Sequence, residues 1–187
     1  VLLQYNGRGQ ITQRTDETGL VTQNTYDVTT EKLLSSVIDP GTTPHLAITT
    51  NFGYNAWGDV NSVQDPRGNT TTFTFDNLRR MTLRTDPAPF SYQTQFGYDA
   101  NSNMTSVQRQ TNIVATPWQT YTWTFSKSDK KKTLTDPASK VWTWDYDGAD
   151  RLWKETDPET RVTEYLYDSR SKLFQVKDSS LTIAETR

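Results

Sequence analysis

The 187-residue chain contains no cysteine and one histidine, His45. Without thiols it can have no disulfide framework, no thiolate zinc site and no cysteine nucleophile. A single histidine excludes a multi-histidine metal centre and makes any Ser-His-Asp triad depend on His45 alone. No run of about 18 apolar residues occurs, so no membrane-spanning helix is expected. Neither charge dominates: 20 basic and 22 acidic residues give a net charge of -2, with no electrostatic footprint for nucleic acid or anionic lipid. Aliphatic material is scarce too, with 33% hydrophobic residues and a mean hydropathy of -0.80. That composition approaches disorder, but disordered chains are poor in aromatics and strongly charged, whereas this one has six Trp, nine Tyr and seven Phe. Its apolar area must therefore come from a few large rings. The length suits one ordinary domain.

What the chain has is a repeat. An aromatic residue followed by Asp or Asn recurs as Tyr5-Asn6, Tyr26-Asp27, Tyr54-Asn55, Phe75-Asp76, Tyr98-Asp99, Tyr146-Asp147 and Tyr167-Asp168, with Phe125-Ser126 as a weaker copy. The steps are 21, 28, 21, 23, 27, 21 and 21 residues, so the basic unit is 21 residues with three lengthened copies. A second marker keeps the same phase. Eleven residues after the aromatic come Asp16, Asp65, Asp86, Asp136, Asp157 and Asp178, and Asp39 comes thirteen after Tyr26. Proline follows Asp39, Asp65, Asp86, Asp136 and Asp157, and Arg109 replaces the Asp in the copy from Tyr98. The extra length enters almost entirely after this second marker, through PGTTPHLAITT, PAPFSYQ and QTNIVATPWQ. Insertions concentrated at one point of a repeat map to loops on one side of an assembly.

Before each aromatic marker the pattern alternates with period two, as in Phe73/Phe75, Tyr121/Trp123/Phe125 and Trp142/Trp144/Tyr146, with Thr, Asp or Gly between. This places rings on one side of a strand and Thr on the other. Six residues after the marker stand Ile11, Val60, Met81, Met104, Leu152 and Leu173, and three further on Val63, Val107, Leu134 and Val176. An offset of three is wrong for a flat strand and predicts a bulge. Turn residues cluster after both markers, and Asp65-Pro66-Arg67-Gly68 fits a β-turn with Pro in second place. Each unit reads as strand, turn, strand, turn. A lone hairpin is marginal in water, so successive hairpins are expected to stack into an antiparallel sheet with one ring-lined face. Deleting a fully buried ring, Trp144 for example, would cost about 3–5 kcal/mol.

The doubled marker resembles that of the YD-repeat, or RHS-repeat, family, with YNAWGDVNSVQDPRGNTTTFTFD from Tyr54 and YDGADRLWKETDPETRVTEYLYD from Tyr146 as the best copies. The resemblance runs along essentially the whole chain and is weakest in the copies from Tyr26, Tyr98 and Phe125. It implies an all-β fold of tandem hairpins in a curved antiparallel sheet, part of a spiral that encloses a hollow shell. Bacterial members resemble toxin-delivery proteins whose shell encapsulates a C-terminal toxic domain, and the animal teneurins use a comparable shell in adhesion. The expected domain is therefore residues 1–187 as an array of about eight units, starting near 5, 26, 54, 75, 98, 125, 146 and 167. VLLQYNGRGQ reads as the inside of the pattern, so a fragment of a larger shell is expected. No counterpart of the aspartyl autoprotease segment of bacterial shells is visible.

The regular spacing of the aspartates argues for turn building rather than acid–base catalysis. DYDGAD (145–150) echoes a calcium loop but lacks the downstream Glu. Lys127, Lys130, Lys131 and Lys132 form a short basic run beside Trp123 and Trp142, which fits a solvated strand edge better than a base-stacking site. Asn69-Thr70-Thr71 and Asn103-Met104-Thr105 match the glycosylation sequon. No catalytic, cofactor or metal residue is assigned, and no enzyme activity or cofactor is expected. The expected partners are an encapsulated toxin or cargo polypeptide and the rest of the same shell, with self-association through open sheet edges, and the expected location is secreted or at the cell surface. The alternative is an extracellular adhesion or carbohydrate-binding module using exposed rings such as Trp57 or Trp118. Neither nucleic acid nor a membrane span is expected.

Overall fold

The computed structural model describes residues 1–41, 44–112, 118–179 and 185–186. Among these every regular element is a strand. Two units are distinguished, 1–93 and 94–187. The first comprises β1 (Leu2–Tyr5), β2 (Ile11–Thr15), β3 (Val21–Tyr26), β4 (Leu33–Ile38), β5 (Ile48–Tyr54), β6 (Val60–Gln64), β7 (Thr70–Phe75) and β8 (Met81–Thr85). The second comprises β9 (Gln93–Tyr98), β10 (Met104–Gln110), β11 (Trp118–Phe125), β12 (Lys131–Thr135), β13 (Val141–Tyr146), β14 (Leu152–Thr156), β15 (Val162–Tyr167), β16 (Leu173–Asp178) and β17 (Glu185–Thr186). Within each unit every strand pairs antiparallel with the next in sequence, so each unit is a meander.

Cross-strand partners share a face, and the register separates rings from hydroxyls as the alternation predicts. In the second unit Trp123 opposes Leu134, Leu134 opposes Trp142, and Trp144 opposes Glu155. On the other face Thr124 opposes Thr133, Thr133 opposes Thr143, and Thr143 opposes Thr156. In the first unit Phe52 opposes Val63 on the ring face and Ser62 opposes Thr72 on the polar one.

The predicted bulge recurs in every marker hairpin. Gln4 opposes Gln13 but Tyr5 opposes Ile11, which leaves Thr12 as the extra residue. The same shift leaves out Leu34, Asn61, Thr82, Thr105, Lys132, Trp153 and Phe174. One extra residue turns an offset of three into a same-face pair, which is why Val60 and Val63 both meet rings, those of Tyr54 and Phe52.

No described residue is fully buried. Each meander is a single layer, so a ring is covered only by its neighbours in the sheet. Trp144 is half-buried rather than enclosed, and its deletion falls below the cost of emptying a core.

Candidate functional site

At most copies the two sequence markers build two loops of the same kind. After the aromatic residue, at Asn6, Asn55, Asp76, Asp99, Asp147 and Asp168, the side-chain Oδ1 accepts the amide hydrogens of the residues two and four further on, at 2.8–3.0 Å. At the other end of the strands Asp16, Asp65, Asp136 and Asp157 do the same at 2.8–3.0 Å. In both loops the amide of the third residue after the marker donates to the marker's carbonyl, as in Gly9 to Asn6 and Gly68 to Asp65. That third residue lies in the left-handed region: Gly9, Gly58 and Gly68 meet this cheaply, while Arg79, Ser102, Asp129, Ser139, Asp150, Thr160 and Ser171 adopt it with a side chain. The aspartates are thus acceptors for amides that the turn would otherwise leave unsatisfied.

These bonds fix their charge. The Arg80 guanidinium, then the Arg80 amide, holds the Asp76 carboxyl below the usual carboxylate range, and Arg151 does the same for Asp147. The Asn69 side chain and amide lower Asp65, and the Thr18 hydroxyl lowers Asp16. At Asp157 desolvation pushes upward, but the Arg161 amide and guanidinium outweigh it and the carboxyl is again depressed. A depressed carboxylate is a poor proton carrier at neutral pH.

The tyrosine of the marker couples neighbouring hairpins, a role the sequence reading did not foresee. Its hydroxyl donates to the backbone carbonyl of the residue that opens the bulge in the preceding hairpin: Tyr26 to Ile11, Tyr54 to Leu33, Tyr146 to Lys131 and Tyr167 to Leu152, at 2.8–3.0 Å. Each acceptor residue itself opposes the preceding marker aromatic, as Leu152 opposes Tyr146. Cations reinforce the link, with the Arg151 guanidinium 4.6 Å from the Tyr167 ring centre and Lys32 Nζ 5.2 Å from that of Tyr54.

The remaining sequence candidates are accounted for singly. His45 Nδ1 lies 2.5 Å from Asp39 Oδ1, and Asp39 Oδ2 accepts the Leu46 amide, so the histidine braces the lengthened loop after Asp39. Gly41 lies beneath it: a Cβ there would come within 2.7 Å of the His45 ring. Asp145 opposes Lys154 in the sheet, while Asp147 Oδ2 binds Arg151, so the acids of DYDGAD diverge. Lys131 Nζ stands 5.4 Å from the Trp144 ring centre, and Lys132 is the bulge residue of its hairpin. In the sequons, the Asn69 amide binds Asp65 and the Asn103 amide binds Asp99 and Asp129. Trp57 is the exposed ring of a marker loop, at 63% of its full accessibility. Trp118 opposes Gln110 in the sheet. The insertion after Arg109 lies outside the described residues from 113 to 117.

A meander of bulged hairpins with side-chain-capped loops, several of them latched by tyrosine, defines a class of β-repeat sheet. Residues 54–89 and 132–162 match the profile of the RHS Repeat family, in agreement with the YD/RHS-repeat resemblance of the doubled marker. No curated protein sequence matches it. Among solved structures it is similar to TcdB2–TccC3, at 16% identity and a TM-score of 0.56, over 95% of this chain and 12% of that one. It is also similar to TcdB2–TccC3 without its hypervariable C-terminal region (14% identity, TM-score 0.55, 95% of this chain and 11% of that one). The Tc holotoxin pore of Photorhabdus luminescens aligns at 15% identity and a TM-score of 0.54, over 92% of this chain and 11% of that one. The chain thus spans about a ninth of the length of the structures whose fold it shares. No helix in the described residues is long and apolar enough to cross a membrane.

Proposed function

We infer that residues 1–187 are an array of about eight YD units, starting near 5, 26, 54, 75, 98, 125, 146 and 167, from the wall of a larger shell that encloses a polypeptide, most simply a C-terminal toxin. The observation that carries this reading is the single-layer sheet itself. With no buried core among the described residues and with polar groups committed to loops and joints, the chain offers a surface and a barrier rather than a reaction centre. The Thr-rich polar face would hold an unfolded polypeptide weakly, preventing both aggregation and action. On this reading the wall performs no catalysis and needs no cofactor, and the protein is exported or surface-borne. Its partners are the cargo and neighbouring segments of the same shell, and open strand edges favour self-association of the isolated segment. Electron cryomicroscopy of the parent protein tests this: density enclosed by a repeat wall supports it, and an open ribbon with an external C-terminal domain refutes it.

A second reading, a carbohydrate-binding or adhesion module, rests on the exposed Trp57. Glycan-array binding by the chain, lost on Trp57→Ala or Trp118→Ala, would favour it over the enclosing wall.

A further inference from the structure

The joints between successive hairpins are not held alike. At β2–β3, β4–β5, β12–β13 and β14–β15 a marker tyrosine latches onto the preceding hairpin. At β6–β7 and β10–β11 the marker is Phe75 or Phe125, which has no hydroxyl to give. The second of these compensates with a long ladder, Ser106–Gln110 against Trp118–Thr122. The first does not: its ladder covers only Ser62–Gln64 against Thr70–Thr72.

Across this β6–β7 joint an ion pair between loops stands alone, whereas at β2–β3 the comparable Arg8–Glu31 pair accompanies the Tyr26 latch. Arg79, in the loop after Phe75, reaches back to Asp59 in the loop after Tyr54, with Nε 2.8 Å from Asp59 Oδ1 and Nη2 closing on the same oxygen. The Asp59 side chain is 12% exposed, and its second oxygen accepts from Asn55 Nδ2 at 3.1 Å. Lys32 adds a favourable field from the neighbouring hairpin. Arg79 also occupies the left-handed position of its loop, φ 62°, where Gly9 and Gly58 stand in other hairpins. Ser102, Asp129, Asp150 and Ser171 take the same position in other hairpins, so Arg79→Gly removes the side chain without straining the loop.

We propose that β6–β7 is the joint at which the first meander opens, and that the Asp59–Arg79 ion pair is the clasp that closes it in place of the tyrosine latch. A clasp of this kind is screened by salt, whereas a tyrosine–carbonyl bond is not. The opening is local and runs along one joint, below the threshold of global unfolding.

Amide hydrogen exchange on the full chain tests this. Amides of Ser62–Gln64 and Thr70–Thr72 should exchange faster than those of the β4–β5 joint, and faster still in about 1 M salt, where the screening length falls to about 3 Å. Arg79→Gly, which suits the loop backbone, should accelerate this joint and abolish its salt dependence. Phe75→Tyr should slow it by about fivefold, the order expected for one net hydrogen bond. Tyr54→Phe should confer fast exchange on β4–β5, which supplies the reading if Phe75→Tyr folds poorly. Salt-independent exchange at β6–β7, or no change there in Arg79→Gly, would overturn the clasp. No change at β4–β5 in Tyr54→Phe would overturn the latch on which the contrast rests.

Discussion

The Tyr167 hydroxyl donates a hydrogen bond of 2.8 Å to the carbonyl of Leu152, the residue that opposes Tyr146 in the preceding hairpin. One backbone peptide thus joins two successive markers. Tyr146 repeats the arrangement on Lys131 one hairpin earlier. The same latch forms from Tyr54 to Leu33 although that unit is lengthened to 28 residues, so the bulge register rather than the exact period sets it.

Tyr167→Phe keeps the ring and removes the donor, leaving the Leu152 carbonyl without this partner. A loss of about 1 kcal/mol in unfolding free energy is expected, the usual net value of one hydrogen bond. Urea denaturation with an unchanged m-value is the check. An equal loss in Tyr146→Phe would show that the latch, not one location, is responsible.

At the loops, Asp147→Asn should be tolerated better than Asp147→Ala. Asparagine keeps the Oδ1 that accepts from the Ala149 and Arg151 amides, and Asn6 and Asn55 already hold that place in two hairpins. Alanine strands both amides. Thermal melting of the two variants side by side should rank wild type highest, Asn next and Ala lowest.

Thr160 sits at φ 65°, a conformation costly for a β-branched residue. Thr160→Gly should therefore raise stability by about 1 kcal/mol, offset in part by the backbone freedom glycine gains when unfolded. Calorimetry resolves a shift of that size as a few degrees.

Acid should weaken the array in a definite direction. Asp16, Asp65, Asp76, Asp147 and Asp157 are all depressed below their ordinary value in the folded state. Their contribution is complete above the unfolded carboxylate pKa of about 4 and is lost as pH falls through the lower folded values. The melting temperature should be flat from about pH 6 to 8 and fall steeply below about pH 4. A melting temperature that stays level well below about pH 4 would mean that the turn carboxylates do not hold the fold.

Most of this architecture was legible in the sequence because its periodicities are local. Period-two rings gave the strands and their faces, and the offset between Val60 and Val63 gave the bulge before any register was known. The aspartates were readable as turn builders, although not that both markers make loops of the same kind: Asp65-Pro66 and Tyr146-Asp147 look unalike, and only the shared pattern of amide bonds equates them. The tyrosine latch was invisible, since its acceptor is a backbone carbonyl 15 or 21 residues upstream that no side-chain pattern marks. The same is true of Asp59 and Arg79, charges on different loops whose pairing depends on how hairpins align.

Proteolysis of the parent protein, with this wall intact or breached, tests the central claim most directly. If the array walls off a polypeptide, the segment downstream of it should resist cleavage in the intact protein and become labile once a protease site engineered into the exposed loop at Phe90 is cut. A downstream segment cleaved equally fast in both states would contradict the enclosing role.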